Sequence, residues 1–62
     1  MLVLFNGLIV KKEHFIAMYI ENGVITVVYG NSQCPLFYNV SMATLTVDEV
    51  TAAFEYVERC FR

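Results

Sequence analysis

Positive charge is scarce in this chain: four Lys and Arg stand against six Asp and Glu, for a formal net charge of -2. Histidine occurs once, cysteine twice and proline once in 62 residues. Each shortage removes a class of protein. So few basic groups argue against a general nucleic-acid or acidic-membrane binder. Cys34 and Cys60 allow at most one bridge, whereas small secreted scaffolds are normally far richer in cysteine. With no basic, then apolar, leader in the sequence, the expectation is a cytoplasmic protein with two reduced thiols. The soft ligands Cys34, Cys60 and His14 are scattered, and a structural zinc site wants four ligands in close pairs. No metal and no cofactor is therefore expected. The longest apolar runs reach about five residues, far short of the roughly 20 a membrane helix needs. No repeat, low-complexity tract or linker divides the chain, which reads as a single domain over residues 1–62.

What is abundant is apolar: 58% of the residues are hydrophobic and 15% are aromatic. A domain of this size removes only about 60% of its unfolded surface from water and is marginal by itself. Such chains use disulfides, a metal or oligomerisation as a supplement. With the first two set aside, oligomerisation is the expected one.

The segment Leu2 to Val10 is strand-like, interrupted by Asn6-Gly7, which suits either a tight turn or a bulge. Lys11-Lys12-Glu13 is a polar connector. His14 to Ile20 and Val24 to Tyr29 flank Glu21-Asn22-Gly23. Asn-Gly between runs of β-branched and aromatic residues predicts a two-residue hairpin, because both turn positions want positive φ. Residues 30–35 read as a loop punctuated by Gly30 and Pro35. Leu36 to about Met42 is the fourth strand.

Thr46 to Phe61 reads as a helix. Thr46 and Glu49 have capping-box spacing. Asp48 and Glu49 at its start, and Arg59 and Arg62 at its end, suit the helix dipole. Glu55–Arg59 and Glu58–Arg62 are i,i+4 pairs in the favoured order, each worth about 0.2–0.5 kcal/mol. Val47, Val50, Ala53, Phe54, Val57, Cys60 and Phe61 share one arc, with charged groups opposite. One helix of this length spans roughly 22 Å and covers one face of a sheet.

The hairpin register sorts the sheet into two sides. With Asn22 and Gly23 in the turn, Ile20 faces Ile25, Met18 faces Val27 and Ile16 faces Tyr29. That bulky aliphatic side, His14 included, is assigned to the helix. The other side carries Phe15, Ala17, Tyr19, Glu21, Val24, Thr26 and Val28. A water-facing sheet normally alternates to polar residues, and this one does not. Its aromatic, little-charged composition matches the core of an interface. Phe15, Ala17, Tyr19, Val24, Thr26 and Val28 are therefore the candidate interface residues. Hiding about 400 Å² on each of two partners, at about 25 cal/mol per Å², offers roughly 20 kcal/mol before association costs of about 4–15 kcal/mol.

Other candidates have plainer explanations. His14 could be a general base, but no motif ties it to a nucleophile. Cys34 has no basic neighbour in sequence that would make its thiol reactive. The acidic residues Asp48, Glu49, Glu55 and Glu58 are accounted for by capping and ion pairing. Asn39-Val40-Ser41 matches a glycosylation acceptor with no secretory context.

The expected fold is α+β: a four-stranded antiparallel β-meander followed by one C-terminal α-helix packed on one face, in two layers. That strand order resembles small coactivator-type domains that bind single-stranded DNA as dimers, a topological likeness with no basic β-ribbon motif beside it. The expected function is a small non-enzymatic interaction module, a homodimer assembled through the open sheet face, that binds or inhibits a protein partner. Its size is common among proteins of phages and mobile elements. One alternative is single-stranded nucleic-acid binding by Lys11, Lys12 and Tyr19, with bases stacked on the sheet aromatics. Another is a ligand-binding or enzyme subunit with a pocket between copies.

Overall fold

The computed structural model describes all 62 residues. The strands are β1 (Leu2–Val3), β2 (Ile9–Val10), β3 (Phe15–Glu21), β4 (Val24–Asn31) and β5 (Cys34–Ser41), and one helix, α1 (Val47–Cys60), follows them. The fold is α+β with two antiparallel sheets, β1–β2 and β3–β4–β5. No helix is long and apolar enough to cross a membrane.

The meander thus has three strands, not the expected four. The missing strand folds back on itself. Asn6 (φ 54) and Gly7 (φ 77) reverse the chain in a 3-10 turn, and Leu2 pairs with Val10 and Val3 with Ile9. A straight strand would send Leu2 and Leu4 to one side and Phe5 to the other. The folded ribbon instead buries Leu2, Leu4, Phe5 and Val10 together. Core burial outweighs the few ladder bonds that a fourth strand would have formed.

The β3–β4 hairpin matches its sequence signature. Asn22 (φ 53) and Gly23 (φ 75) both sit in the left-handed region, as a type I′ turn requires. Ile20 pairs with Ile25 and Met18 with Val27, as expected. Towards the start of β3 the register slips: Phe15 pairs with Tyr29, and Ala17 with Val28. Ile16 is the extra residue of a β-bulge. The expected Ile16–Tyr29 pairing is therefore replaced by Phe15–Tyr29. His14 lies outside the strand, in a 3-10 turn over Lys12–His14.

The expected loop at 30–35 is mostly strand. Asn31 pairs with Cys34, which leaves only Ser32 and Gln33 in the turn. Neither has positive φ; Gly30 does instead (φ 100). Asn31 Oδ1 accepts the N–H of Gln33 at 2.9 Å, an Asx-type closure that takes the place of a glycine in the turn.

Both bonds of the capping box at Thr46 and Glu49 are made, at 3.1 and 3.0 Å. Val50 and Val57 are buried against Ile25, Val27 and Val40 of the sheet and Leu2, Leu4, Phe5 and Val10 of the ribbon. Val47, expected on the buried arc, is 80% exposed. Of the two expected i,i+4 pairs, Glu58–Arg62 closes as an ion pair and Glu55–Arg59 does not. Tyr56 ties the chain start to the helix: its hydroxyl donates to Met1 C=O at 3.5 Å and accepts from Val3 N–H at 3.4 Å.

The capping bonds are exposed, so their worth is that of an ordinary cap. Thr46→Ala should lower stability by about 1 kcal/mol in urea denaturation, with the m-value unchanged.

Candidate interaction surface

The helix, the ribbon and the 3-10 segment before the helix all pack on the sheet side that carries Met18, Ile25, Val27, Tyr29, Tyr38 and Val40. The two-residue period places Ala17, Tyr19, Val24, Thr26 and Val28 on the other side. They are joined there by Phe37, opposite Val28, and Asn39, opposite Thr26. Five of the six candidate residues therefore share the outer face. Phe15 does not. The bulge at Ile16 turns it to the helix side, where its ring lies 5.1 Å from that of Phe61.

The outer face has a buried midline and exposed flanks. Thr26 and Val28 are each only 8% exposed, while Tyr19 on β3 is 40% and Phe37 on β5 is 59% exposed. The flanking side chains screen the central strand, and part of their own apolar surface stays in water. Thr26 Oγ1 donates to Asn39 Oδ1 at 3.0 Å across the strands. This bond satisfies the hydroxyl without a water. Tyr19, Glu21, Val24, Thr26, Phe37 and Asn39 rim a shallow depression in which Glu21 is the one charged group. The arrangement offers apolar contact, a phenol, the carboxamides of Asn22 and Asn39 and the carboxylate of Glu21.

Sequence reasoning missed Phe37 and Asn39. Their position depends on the β4–β5 register, and the Ser32–Gln33 turn has no glycine or asparagine at its centre to announce that register. The alternation from Leu36 to Val40 is the signal that could have placed them.

The residues named for nucleic-acid binding are not brought together. Lys12 Nζ lies 5.3 Å from the centre of the Phe61 ring, on the helix side, whereas Tyr19 is on the outer face. Lys11 and His14 are exposed beside Lys12. Cys34 is an exposed thiol at the start of β5, and Cys60 is half-buried on the helix. No group of three or more His, Cys, Asp and Glu is placed to hold a metal. A second, apolar furrow runs between the ribbon and the helix, lined by Leu4, Phe5, Leu45, Ala53 and Tyr56 among others.

The Thr26–Asn39 bond is partly screened from water, and its loss can be measured. Thr26→Val should destabilise the fold by about 0.5–1.5 kcal/mol in thermal or urea unfolding.

No family model matches this chain, and neither a curated protein nor a solved structure matches it.

Proposed function

We propose that this protein is a non-enzymatic interaction module that self-associates through the outer face of its sheet and, as a homodimer, binds or inhibits a protein partner in the cytoplasm. One observation carries this reading: Tyr19 and Phe37 stand half-exposed on either side of the Thr26–Val28 midline, with Glu21 the only charge on the rim. Aromatic residues enriched at the centre and charge confined to the edge are the composition of an interface core. Apolar surface of this extent on a small chain is more stable covered than wet. A second copy, which presents the same patch, is the simplest cover, and a two-fold contact closes on itself. A nucleic-acid ligand is disfavoured by the separation of Lys12 from Tyr19.

In sedimentation velocity at micromolar concentration the expected species has at least twice the monomer mass of 7.1 kDa. Tyr19→Glu should weaken the dimer by roughly tenfold or more, since it buries a charge without a partner at the contact. A wild-type chain that sediments as a monomer ends the dimer reading, and a Tyr19→Glu chain that associates as tightly as wild type rules out this face.

A further inference from the structure

Strand β5 ends the sheet on one side, and its outer edge is bare. The bond from Met42 N–H to Gly23 C=O, 2.9 Å long, sets the phase of the β4–β5 ladder. With pairing from Val24↔Ser41 to Asn31↔Cys34, Cys34, Leu36, Tyr38 and Val40 bond to β4. The main-chain groups of Pro35, Phe37, Asn39 and Ser41 point away. Two of those positions are already accounted for. Pro35 has no N–H. Ser41 C=O accepts the hydroxyl of Thr44 at 2.8 Å. The free groups are then the N–H of Phe37, Asn39 and Ser41 and the C=O of Pro35, Phe37 and Asn39.

We propose that a second copy of this chain pairs with this edge, antiparallel, about a two-fold axis through Tyr38. Phe37 then lies opposite the partner's Asn39, and Ser41 opposite the partner's Pro35. Phe37 and Asn39 exchange N–H···O=C bonds in both directions. Ser41 N–H donates to the C=O of the partner's Pro35. The one donor that proline lacks would have gone to the Ser41 carbonyl, which Thr44 already supplies. A shift of two residues either way breaks this match: Pro35 then faces the open acceptor at Asn39, or Phe37 N–H faces the filled one at Ser41. In this single register every free group of the edge finds its complement in its own copy.

The side chains agree. On the helix side Tyr38 meets the partner's Tyr38, and Leu36, 54% exposed in the single chain, meets the partner's Val40. Residues Cys34 to Ser41 carry no charge, so the two-fold sets no like charges against each other. The opposite edge contrasts with this one. β3 has the Ile16 bulge, ends at Glu21, and is preceded by Lys11, Lys12 and Glu13, which are devices that discourage strand addition. β5 runs through eight register pairs without a break. This contact goes beyond the face contact above, uses a different surface, and does not depend on it.

Amide hydrogen exchange by NMR tests the pairing. In concentrated samples the amides of Phe37, Asn39 and Ser41 should be protected, and the protection should fall at least about tenfold on dilution below the dissociation constant. The amides of Met18 and Ile20, which point outward from β3, should exchange freely throughout. A 62-residue chain is within reach of chemical synthesis, and N-methylation of Asn39 removes one outward donor without touching the β4 ladder. It should weaken association by about tenfold or more with an unchanged circular dichroism spectrum. The proposal is overturned if Phe37 and Asn39 exchange as fast as Met18 and Ile20 at every concentration. It is equally overturned if they are protected in a monomeric sample, or if N-methylation of Asn39 leaves the association of the Tyr19→Glu chain unchanged. Tyr19→Glu, which probes the face, should leave the protection at Phe37 and Asn39 intact, so the two contacts fail separately.

Discussion

β4 is paired on both sides and screened on both faces, and the rest of the chain is arranged to achieve this. Ile25 and Val27 are 0% exposed, and Thr26 and Val28 on the opposite side are 8% exposed. A strand apolar on both faces is stable only where neighbours exclude water from each. The chain meets that demand in two ways. On one face it brings in distant segments: the helix through Val50 and Val57, and the folded ribbon through Leu2, Leu4, Phe5 and Val10. On the other it has only the side chains of the adjacent strands to offer.

That difference separates the covered face from the open one. The centre of the helix side is covered by groups far apart in sequence, and the Phe15–Phe61 contact with Lys12 above it extends that cover to the chain's last residues. The outer side is closed only along its midline. Tyr19 and Phe37 protect Thr26 and Val28 at the expense of their own exposure. The one helix packs on the opposite face.

The two sheet edges are equally unequal. β3 is interrupted by a bulge and bordered by charges, whereas β5 is regular and uncharged. Natural sheets blunt the edges they need to keep apart, and here one edge is blunted and one is not. Thr44 and Pro35 lie at opposite ends of the open edge, and each removes one main-chain group from it, an acceptor in one case and a donor in the other.

Several elements were legible in the residues because short-range chemistry sets them. Thr46 and Glu49 form their box within one helical turn, and Asn22-Gly23 adopts the two positive φ values that fix Ile20 against Ile25 and Met18 against Val27. Ala17, Tyr19, Val24, Thr26 and Val28 follow from that register by alternation alone. The tertiary structure decided what depends on distant partners. Phe15 leaves the outer face at the bulge and lies against Phe61, 46 residues later. Leu2 to Val10 abandons the sheet because the helix and sheet leave a core space that a folded ribbon fills and a straight strand cannot. Phe37 and Asn39 join the face through a turn whose closure rests on Asn31 rather than on a glycine. Local hydrogen bonding and backbone sterics are written in adjacent residues, whereas the balance between ladder bonds and core burial is settled only when distant segments compete for the same space.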